Sequence, residues 1–243
     1  MILTAHQPGY WPWLGYFEKI ARSDLFVLLD HVQYEPHNFQ NRNRIKVNNG
    51  SLWLTVPIKR QHAVPICEQR IATEPRSRHH WQERTLRTLF HHYGHAPYFD
   101  EYAEEIVDIY RRPWQRLVDL DEELIERMMG WMGIVRPMVR SSSLKLSGQK
   151  SSMIVSLCQR LGAKRYLSGS GGSRDYLDVE EFRRSGITVE WQNFIHPTYP
   201  QCYPKLGFVP RLAAIDLLFN CGPRSRCYLN GDTARVALAS GGQ

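Results

Sequence analysis

The sequence ILTAHQPGYWPWLGYFEKI, residues 2–20, and the sequence SDLFVLLD, residues 23–30, decide the fold of this chain. A short apolar run comes first, and a loop with a glycine and two prolines follows it. Apolar residues then recur at helical spacing, at Tyr16, Phe17 and Ile20, before a second apolar run begins. The pattern predicts a strand, a loop, a helix and a second strand, which together form a βαβ unit.

Polar side chains lie where the first predicted strand ends. Ligands of βαβ units usually bind beyond this strand end, because unpaired N–H groups at the amino end of the helix attract anions. His6, Gln7 and Lys19 would bring polar groups to that edge, and Gly15 would let a ligand approach the backbone closely. The prolines and Trp11 are equally consistent with a tightly packed corner. We predict a functional role for His6 and Gln7 in particular.

The composition is that of a globular protein. With 243 residues, of which 42% are hydrophobic, the chain can bury one substantial core or two modest ones. No apolar segment approaches the roughly 20 residues that a membrane helix requires. Met1 leads directly into the first strand, and no export signal is recognised. We therefore expect a cytoplasmic protein that does not insert into membranes.

The cysteines and the net charge bear on chemistry and partners. Five cysteines are an odd number and include no CxxC pair, which predicts free thiols. The formal charge of +7 and a pI near 9.2 favour an anionic partner. That partner could be a nucleotide, a phosphorylated sugar, an acidic acyl-carrier protein or a nucleic acid. Nucleic acid is the least favoured, because the aromatic residues group at one corner instead of alternating with basic residues.

A second polar segment follows the second predicted strand. It contains Asp30, Gln33 and the triplet Asn41, Arg42 and Asn43. Amides and guanidinium groups at the carboxyl edge of a sheet can hold phosphate or carboxylate oxygens through directed hydrogen bonds. An asparagine-rich turn would explain the same triplet, because asparagine tolerates left-handed backbone angles.

The middle of the chain changes from strand to helix. Residues 52–58 alternate and predict a strand, with residues 66–71 as its partner. Helical apolar spacing then predicts three helices, over residues 81–93, 99–111 and 114–131. Five histidines in this block invite a metal-site interpretation. They lack a neighbouring His-Glu or CxxC pattern, so no bound metal is expected.

The second half repeats the order of strand, polar loop and helix. A short strand is predicted from Arg165, and the Ser/Gly loop that follows contains Ser168, Gly169 and Tyr176. Backbone amides of such a loop could line a ligand, although the loop matches neither a Walker motif nor a GxGxxG fingerprint. Lys150, near the start of another predicted helix, could bind a phosphate or belong to an ordinary helix cap.

A further predicted strand, residues 187–191, leads into a loop that contains Gln192, His196 and Gln201. A histidine held rigidly after a strand can act as a general base or acid near neutral pH. A hydrogen-bonded loop histidine would give the same pattern.

The last predicted helix, over residues 208–222, carries Asp216 among apolar neighbours. A carboxylate in such surroundings needs a partner, either a structural arginine or a catalytic histidine. Residues 223–243 are rich in Gly, Ser and Arg, and we predict a flexible tail.

Motifs spread over almost the whole chain, up to about Gly222, carry a family resemblance. They are His6-Gln7-Pro8, Pro12-Trp13-Leu14-Gly15-Tyr16-Phe17, Ser23-Asp24, Leu29-Asp30, Val32-Gln33-Tyr34, Asn41-Arg42-Asn43, Tyr166-Leu167-Ser168-Gly169, Tyr176-Leu177, His196-Pro197 and Ile215-Asp216-Leu217-Leu218-Phe219-Asn220-Cys221-Gly222. Together they resemble the WbqC-like family, whose members occur in gene clusters for O-antigen and other surface sugars, and some in natural-product clusters. The resemblance implies a step that decorates an amino sugar or a similar small molecule.

The opening segment also looks like the start of the nucleotidyltransferase and pantoate-ligase superfold, in which an HxGH motif grips ATP phosphates. Trp13 and Tyr16 stand where that motif has its two histidines, while Gly15 is retained. This likeness implies a Rossmann-like parallel sheet of the nucleotidyltransferase or HUP type. The loss of both imidazoles weighs against ATP-dependent adenylation.

We therefore predict an α/β fold, a Rossmann-like parallel sheet with an inserted helical subdomain. Residues 1–74 and 135–222 would form the α/β domain, residues 75–134 the helical subdomain and residues 223–243 the tail.

The favoured function is an acyl- or aminoacyltransferase that forms an amide on an amino sugar or a related small amine. Its donor would be activated beforehand. The cofactor is not determined, and ATP and a phosphopantetheine-linked donor are the two possibilities. The predicted catalytic residues are His6 and His196 as bases and Asp30 and Asp216 as the groups that orient them. The predicted binding residues are Gln7, Gly15, Tyr16, Lys19, Gln33, Asn41, Arg42, Asn43, Lys150, Ser168, Gly169, Tyr176, Gln192 and Gln201. The alternatives are an ATP-dependent nucleotidyltransferase or ligase of the same superfold and a non-catalytic sugar-nucleotide binding protein.

Overall fold

A computed structural model describes residues 1–72, 80–169, 171, 174 and 177–229. The strands are β1 (Ile2–His6), β2 (Leu25–Leu28), β3 (Arg42–Val47), β4 (Gly50–Thr55), β5 (Met138–Arg140), β6 (Arg165–Ser168) and β7 (Thr188–Trp191). The helices are α1 (Leu14–Ala21), α2 (His80–Tyr93), α3 (Phe99–Arg111), α4 (Leu117–Trp131), α5 (Lys150–Arg160), α6 (Val179–Arg184), α7 (Ile215–Cys221) and α8 (Ser225–Leu229). Short 3₁₀ turns lie at Ile66–Glu68, Ser141–Ser143, Pro204–Leu206 and Gly222–Arg224. Across these ranges, no helix combines the length and the apolar character needed to cross a bilayer.

Five strands form one parallel sheet in the order β5-β2-β1-β6-β7. The predicted βαβ unit of β1, α1 and β2 is confirmed, since β1 and β2 pair in parallel from Leu3–Leu25 to His6–Leu28. Chain order runs outward from β1 in both directions, first through β2 and β5 and then through β6 and β7. This arrangement confirms an α/β architecture with a Rossmann-like parallel sheet, and it places the topological switch point between β1 and β6.

The sheet separates two buried apolar layers. Because successive residues of a strand face opposite sides, Val27 of β2 belongs to one layer while Phe26 and Leu28 belong to the other. Residues of α5 and α6 complete the first layer. The second layer contains residues of α1, the β3–β4 hairpin, α2, α3, α4, α7 and α8 in one continuous cluster. The three middle helices therefore share their core with α1.

The predicted pairing of residues 52–58 with residues 66–71 forms only at its end, as an antiparallel bridge between Ile58 and Ile71. Strand β4 pairs with β3 in an antiparallel hairpin whose two loop residues are Asn48 and Asn49. A two-residue loop of this kind fixes the pairing of neighbouring segments, whereas Ile66–Glu68 forms a 3₁₀ turn. The polar Arg and Asn side chains of β3 interrupt the apolar alternation that predicts a strand. The sequence pattern therefore did not predict β3.

The end of the chain also differs from the prediction. The last predicted helix is shorter than expected, because α7 begins only at Ile215. Residues 225–229, which fall inside the predicted flexible tail, form α8, and Tyr228 and Leu229 are buried in the second layer. Residues 230–243 lie outside the described part of the chain.

Candidate functional site

Three neighbouring strands, β1, β6 and β7, end at the same edge of the sheet, since they run parallel. Parallel sheets commonly bind ligands at this edge, beside the switch point. We call this edge the rim. It comprises His6, Gln7, Tyr16, Lys19, Ser168, Gly169 and Gln192.

His6 is the accessible base of the rim. Its ring packs edge-on against Tyr16, with ring centroids 4.7 Å apart, and its Nδ1 lies 3.1 Å from the backbone oxygen of Gln7. The tautomer that satisfies this contact donates from Nδ1 and leaves Nε2 with no partner among the described residues. Although the side chain is solvent-accessible, desolvation by the surrounding protein, followed by the nearby Lys19 ammonium, lowers the pKa of His6. At a pKa of about 3 the ring is neutral at pH 7 with an unprotonated Nε2, and it is a weaker base than an ordinary histidine.

Lys19 is the buried cation of the rim. Its side chain is only 3% exposed, and Nζ donates a 3.0 Å hydrogen bond to the backbone oxygen of Ala5. Burial lowers the pKa of Lys19 to about 7, although the neighbouring Glu18 opposes this change. Lys19 therefore exchanges between ammonium and amine near neutral pH, which is the range in which a lysine can act in catalysis.

The Ser168 hydroxyl has no partner among the described residues. Its Oγ is buried and makes no hydrogen bond within the described structure. The pairing of Thr4 with Leu167 places Ser168 one position further along, beside Ala5, whose carbonyl accepts the bond from Lys19. A buried hydroxyl without a partner costs about 1–3 kcal/mol, so a bound group that uses it is favoured. Gly169 follows, and a Cβ built there would meet no atom within 4 Å.

Two glutamines hold the rim together. Gln192 donates through Nε2 to the Gly15 carbonyl at 2.7 Å and to Glu18 Oε2 at 2.5 Å, which fixes the end of β7 to α1. Gln40 donates through Nε2 to Gln7 Oε1 at 2.9 Å. The side-chain amide of Gln192 is thus committed to the protein, which corrects its prediction as a ligand-binding group. Gln40 was not foreseen, because it stands in a polar run with no distinguishing spacing.

Gly15 does not provide the ligand cradle that we predicted. A Cβ at this position would lie 2.2 Å from the indole of Trp13, so the glycine makes room for that ring. The indole in turn packs edge-on against Phe194, with centroids 5.6 Å apart. Backbone N–H groups near Gly15 are therefore covered by a protein side chain.

Asp30 has a structural environment. Its Oδ1 accepts hydrogen bonds from Ser141 Oγ at 3.0 Å and from the Ser142 amide at 2.8 Å, and its Oδ2 accepts from Ser142 Oγ at 2.7 Å. These bonds join the segment after β2 to the segment after β5. The predicted pairing of Asp30 with a histidine base is therefore not formed.

Asp216 lies in a second buried polar network, together with Gln201. Tyr93 donates through its hydroxyl to Asp216 Oδ1 at 2.6 Å, and Gln201 donates through Nε2 to Oδ2 at 2.8 Å. Gln201 also bonds the backbone of Val209 in both directions, at 3.0 and 2.9 Å. Burial raises the pKa of Asp216 despite these bonds. The partners of the carboxylate are thus two tyrosines, Tyr93 and Tyr199, and the Gln201 amide, with the Lys46 ammonium nearby; among the described residues, no arginine or histidine bonds to it.

His196, the second predicted base, has both ring nitrogens engaged. Its Nδ1 lies 2.9 Å from the Pro197 carbonyl, and its Nε2 accepts a 3.2 Å bond from the Arg211 amide. Burial lowers the pKa of the ring. Because both nitrogens are engaged with backbone groups, His196 holds the loop after β7 and has no free nitrogen for a substrate.

The asparagines of the hairpin are also structural. Asn41 accepts from the Tyr34 hydroxyl at 3.1 Å and donates to the Val56 carbonyl at 2.9 Å. Asn43 donates to the Trp11 carbonyl at 2.7 Å and accepts from the Arg44 amide at 2.8 Å. The bond from Asn43 to Trp11 fastens the hairpin to the loop between β1 and α1, and both side-chain amides are engaged with the protein.

The remaining predicted binding residues lie apart from this hydrogen-bonded set. Arg42 places its guanidinium 4.6 Å from the ring centre of Trp53, and Gln33 is exposed. Lys150 is the exposed first residue of α5, with a positive φ of 50°. Tyr176 lies outside the described residues.

Two further groups bear on the chemistry. Asp121 of α4 has both carboxylate oxygens buried without a partner, and burial raises its pKa well above the ordinary value. Its acidic side chain within an apolar helical stripe was a signal that sequence inspection missed.

Burial also raises the pKa of Cys202 and of Cys221 to about 11, so both thiols are protonated at neutral pH and are poor nucleophiles. In the described ranges, no group of His, Cys, Asp or Glu side chains has the proximity needed for a metal ion.

The fold and the rim define an α/β protein whose parallel sheet presents a neutral histidine, a buried lysine and an unpaired serine hydroxyl beside its switch point. The chain belongs to the WbqC-like protein family, whose sequence profile matches residues 7–228. A curated relative from Mycobacterium tuberculosis (strain ATCC 25618 / H37Rv), named uncharacterized protein Rv1507c, is 33% identical over 227 residues, which is 92% of this chain and 95% of the relative. No solved structure matches the chain.

Proposed function

We propose that the protein transfers an acyl or aminoacyl group to the amine of an amino sugar or a related small molecule, in the synthesis of a surface polysaccharide or a natural product. The observation that carries the proposal is the position of His6 and Lys19 beside the carboxyl end of β1, with Ser168 at the end of the adjacent strand β6. The resemblance to families from surface-sugar and natural-product gene clusters supports the biosynthetic setting.

The rim residues match the requirements of amide formation. The attacking amine must lose a proton, and His6 Nε2 is free to accept it. As the C–N bond forms, negative charge develops on the carbonyl oxygen, which the Lys19 ammonium can stabilise. The C–S bond of a thioester donor then breaks, and the proton held by His6 passes to the departing sulfur. Carbon, nitrogen, sulfur and proton all balance without a further reactant.

An acidic carrier protein that delivers the donor would have a matching surface next to the rim. We call Phe39, Arg42, Arg44 and Trp53 the hairpin surface. Phe39 and Trp53 are 50% and 41% exposed, and the Arg42 and Arg44 guanidinium groups lie 4.6 and 5.6 Å from the Trp53 ring centre. The hydrogen bond between Gln40 and Gln7 connects this surface to the rim. Positive charge beside exposed aromatic rings suits an acidic partner with an apolar centre.

An ATP-dependent nucleotidyltransferase or ligase of the HUP type is the second candidate, and the strand order with its switch point after β1 favours it. The Trp13 indole over Gly15 counts against it, because that ring fills the space a phosphate cradle requires. Calorimetry with Mg-ATP separates the two proposals, since the ligase requires saturable ATP binding and the transferase does not.

Mass spectrometry tests the transferase directly. Purified protein is incubated with amino sugars, with sugar nucleotides that carry a free amine, and with acyl and aminoacyl thioesters. We expect an amide product, and we expect His6→Ala to lower kcat/KM by roughly 10²–10⁴-fold, the usual contribution of a positioned base.

His62→Ala is the matched control, since His62 is exposed and lies outside the rim. Circular dichroism shows whether each variant is folded. Full turnover by folded His6→Ala would contradict the assignment of the base. Saturable binding of a sugar nucleotide without any turnover would favour a non-catalytic binding protein instead.

A further inference from the structure

A cavity of about 440 Å³ lies outside the rim, where residues 59 and 70–72 meet the start of α2 and the end of α3. We call it the basic cavity. Four cations line it, Lys59, Arg70, Arg111 and Arg112, together with two tryptophans, Trp81 and Trp114. Its volume falls within the range of about 300–1,000 Å³ that is typical of small-molecule sites.

The backbone brings three cations into adjacent positions. Lys59 donates its amide to the Arg70 carbonyl at 2.8 Å, next to the antiparallel bridge between Ile58 and Ile71. Arg70 itself forms an antiparallel bridge with Arg116. Like charges that face each other on neighbouring strands destabilise the pairing. The three side chains are exposed, so this repulsion is strongest at low ionic strength.

The protein neutralises only part of this charge. Arg112 forms a 3.0 Å ion pair with Glu123, and Arg111 lies 3.9 Å from Asp108 at an exposed position. Lys59 and Arg70 form no ion pair with any described residue. Among the described residues, these two cations of the cavity wall have no carboxylate partner.

The wall also contains apolar side chains beside two glutamines, Gln82 and Gln115. Ile71 and Trp81 are buried, and the indole of Trp114 lies under the Arg112 guanidinium, 5.6 Å from it. The tryptophan and proline rings of the cavity lie beside two adjacent cations. Such a wall is suited to a ligand that has a charged portion and a less polar portion. We propose that the basic cavity binds a small ligand through a diphosphate group, held by Lys59 and Arg70. This site shares no residue with the rim and does not depend on the proposed transferase reaction.

Isothermal titration calorimetry on the full chain tests the site with three probes: inorganic pyrophosphate, ADP and UDP-N-acetylglucosamine. We expect saturable binding of at least one probe at about 0.15 M ionic strength. The double variant Lys59→Gln/Arg70→Gln should weaken that binding by at least about tenfold, because charge-assisted bonds to phosphate are lost. The strongest probe identifies the source of the diphosphate: free, nucleoside-linked or sugar-linked.

A charge-matched control is Arg160→Gln/Lys164→Gln, whose exposed cations lie on the opposite side of the sheet, at the end of α5 and just after it. It should bind each probe like the unmodified protein. Without ligand and at low salt, Lys59→Gln/Arg70→Gln should also have a higher Tm than the unmodified protein, because the repulsion between strands is removed. Failure of all three probes to bind, or equal loss in both double variants, would overturn the proposal.

Discussion

His6 and His196 are the same residue type in similar sequence settings, yet their surroundings give them different roles. Each follows a strand of the parallel sheet and precedes a proline-containing loop. His6 has one nitrogen engaged, whereas His196 has both nitrogens bonded to backbone groups. The sequence could nominate both rings as bases, but only the hydrogen-bond partners decide which ring can accept a proton.

Lys19 gives a prediction at the residue scale. Its pKa is about 7 in the folded chain against 10.5 for an ordinary lysine. Between these two pH values the unfolded chain binds more protons than the folded chain, so the free energy of unfolding rises with pH. Denaturant unfolding should show that unmodified protein gains stability relative to Lys19→Met from pH 7.5 to 9, by up to about 1.4 kcal/mol per pH unit.

Lys145→Met is the control for this experiment, because Lys145 is exposed. The difference in free energy of unfolding between Lys145→Met and the unmodified protein should not change over the same pH interval. A constant difference between Lys19→Met and the unmodified protein would show that Lys19 keeps an ordinary pKa.

At the scale of elements, aromatic packing holds the loop before α1. The sequence predicted only part of this packing. Trp11 has a positive φ of 46°, and its indole donates to the Tyr110 hydroxyl at 2.8 Å. Its carbonyl accepts the bond from Asn43, and the Trp13 ring lies over Gly15. The aromatic residues of the loop therefore fix its shape, and the prediction of a packed corner describes them well.

Gly15→Ala tests this packing. The new methyl group would lie 2.2 Å from the Trp13 indole, which must move away from Phe194. We expect a loss of about 1–3 kcal/mol in chemical denaturation, as for other overpacked sites. Gly130→Ala in α4 is the control, because its Cβ would meet no atom within 4 Å, and it should gain up to about 1 kcal/mol through helix propensity. Equal stability of the two variants would contradict the observed position of Trp13.

The hairpin surface gives a prediction for partner binding. Arg42→Glu/Arg44→Glu reverses two charges beside Trp53, so association with an acidic holo-acyl-carrier protein should slow and weaken by at least about tenfold. Surface plasmon resonance at two salt concentrations measures the effect. Arg183→Glu/Arg184→Glu on α6, which faces the other side of the sheet, is the matched control. Unchanged binding by the Arg42/Arg44 variant would show that the carrier protein does not bind the hairpin surface.

At the scale of the whole molecule, buried polar groups connect segments that are distant in sequence. Asp216 of α7 joins Tyr93 of α2 and Gln201 of the loop after β7. Tyr93 also accepts a 2.9 Å bond from the Lys46 amide of β3. One carboxylate thus helps to hold a helix, a loop and the hairpin in a single arrangement.

Asp216→Asn should therefore destabilise the whole chain. The amide would present a donor where Tyr93 or Gln201 already donates, and loss of a buried charge-assisted bond costs about 2–3 kcal/mol. Thermal and chemical unfolding measure the change. Asp108→Asn at an exposed position of α3 should alter stability by less than about 0.5 kcal/mol. An equally small effect of both substitutions would show that the Asp216 network carries little stability.

The sequence by itself determined the parallel α/β architecture, the βαβ opening and the bounds of α3, because apolar periodicity and breaker residues are local properties. It also placed His6, Lys19 and Ser168 at strand ends or on α1, where side chains reach the carboxyl edge of a sheet. Only the tertiary structure decided which polar residues are free to act. Asp30, Asn41, His196 and Asp216 are bonded to partners 15 to 123 residues away, and such partners leave no periodic trace in the sequence. The satisfaction of a hydrogen-bonding group depends on atoms brought close by folding, so the same residue type can be a candidate catalyst at one strand end and a structural anchor at another.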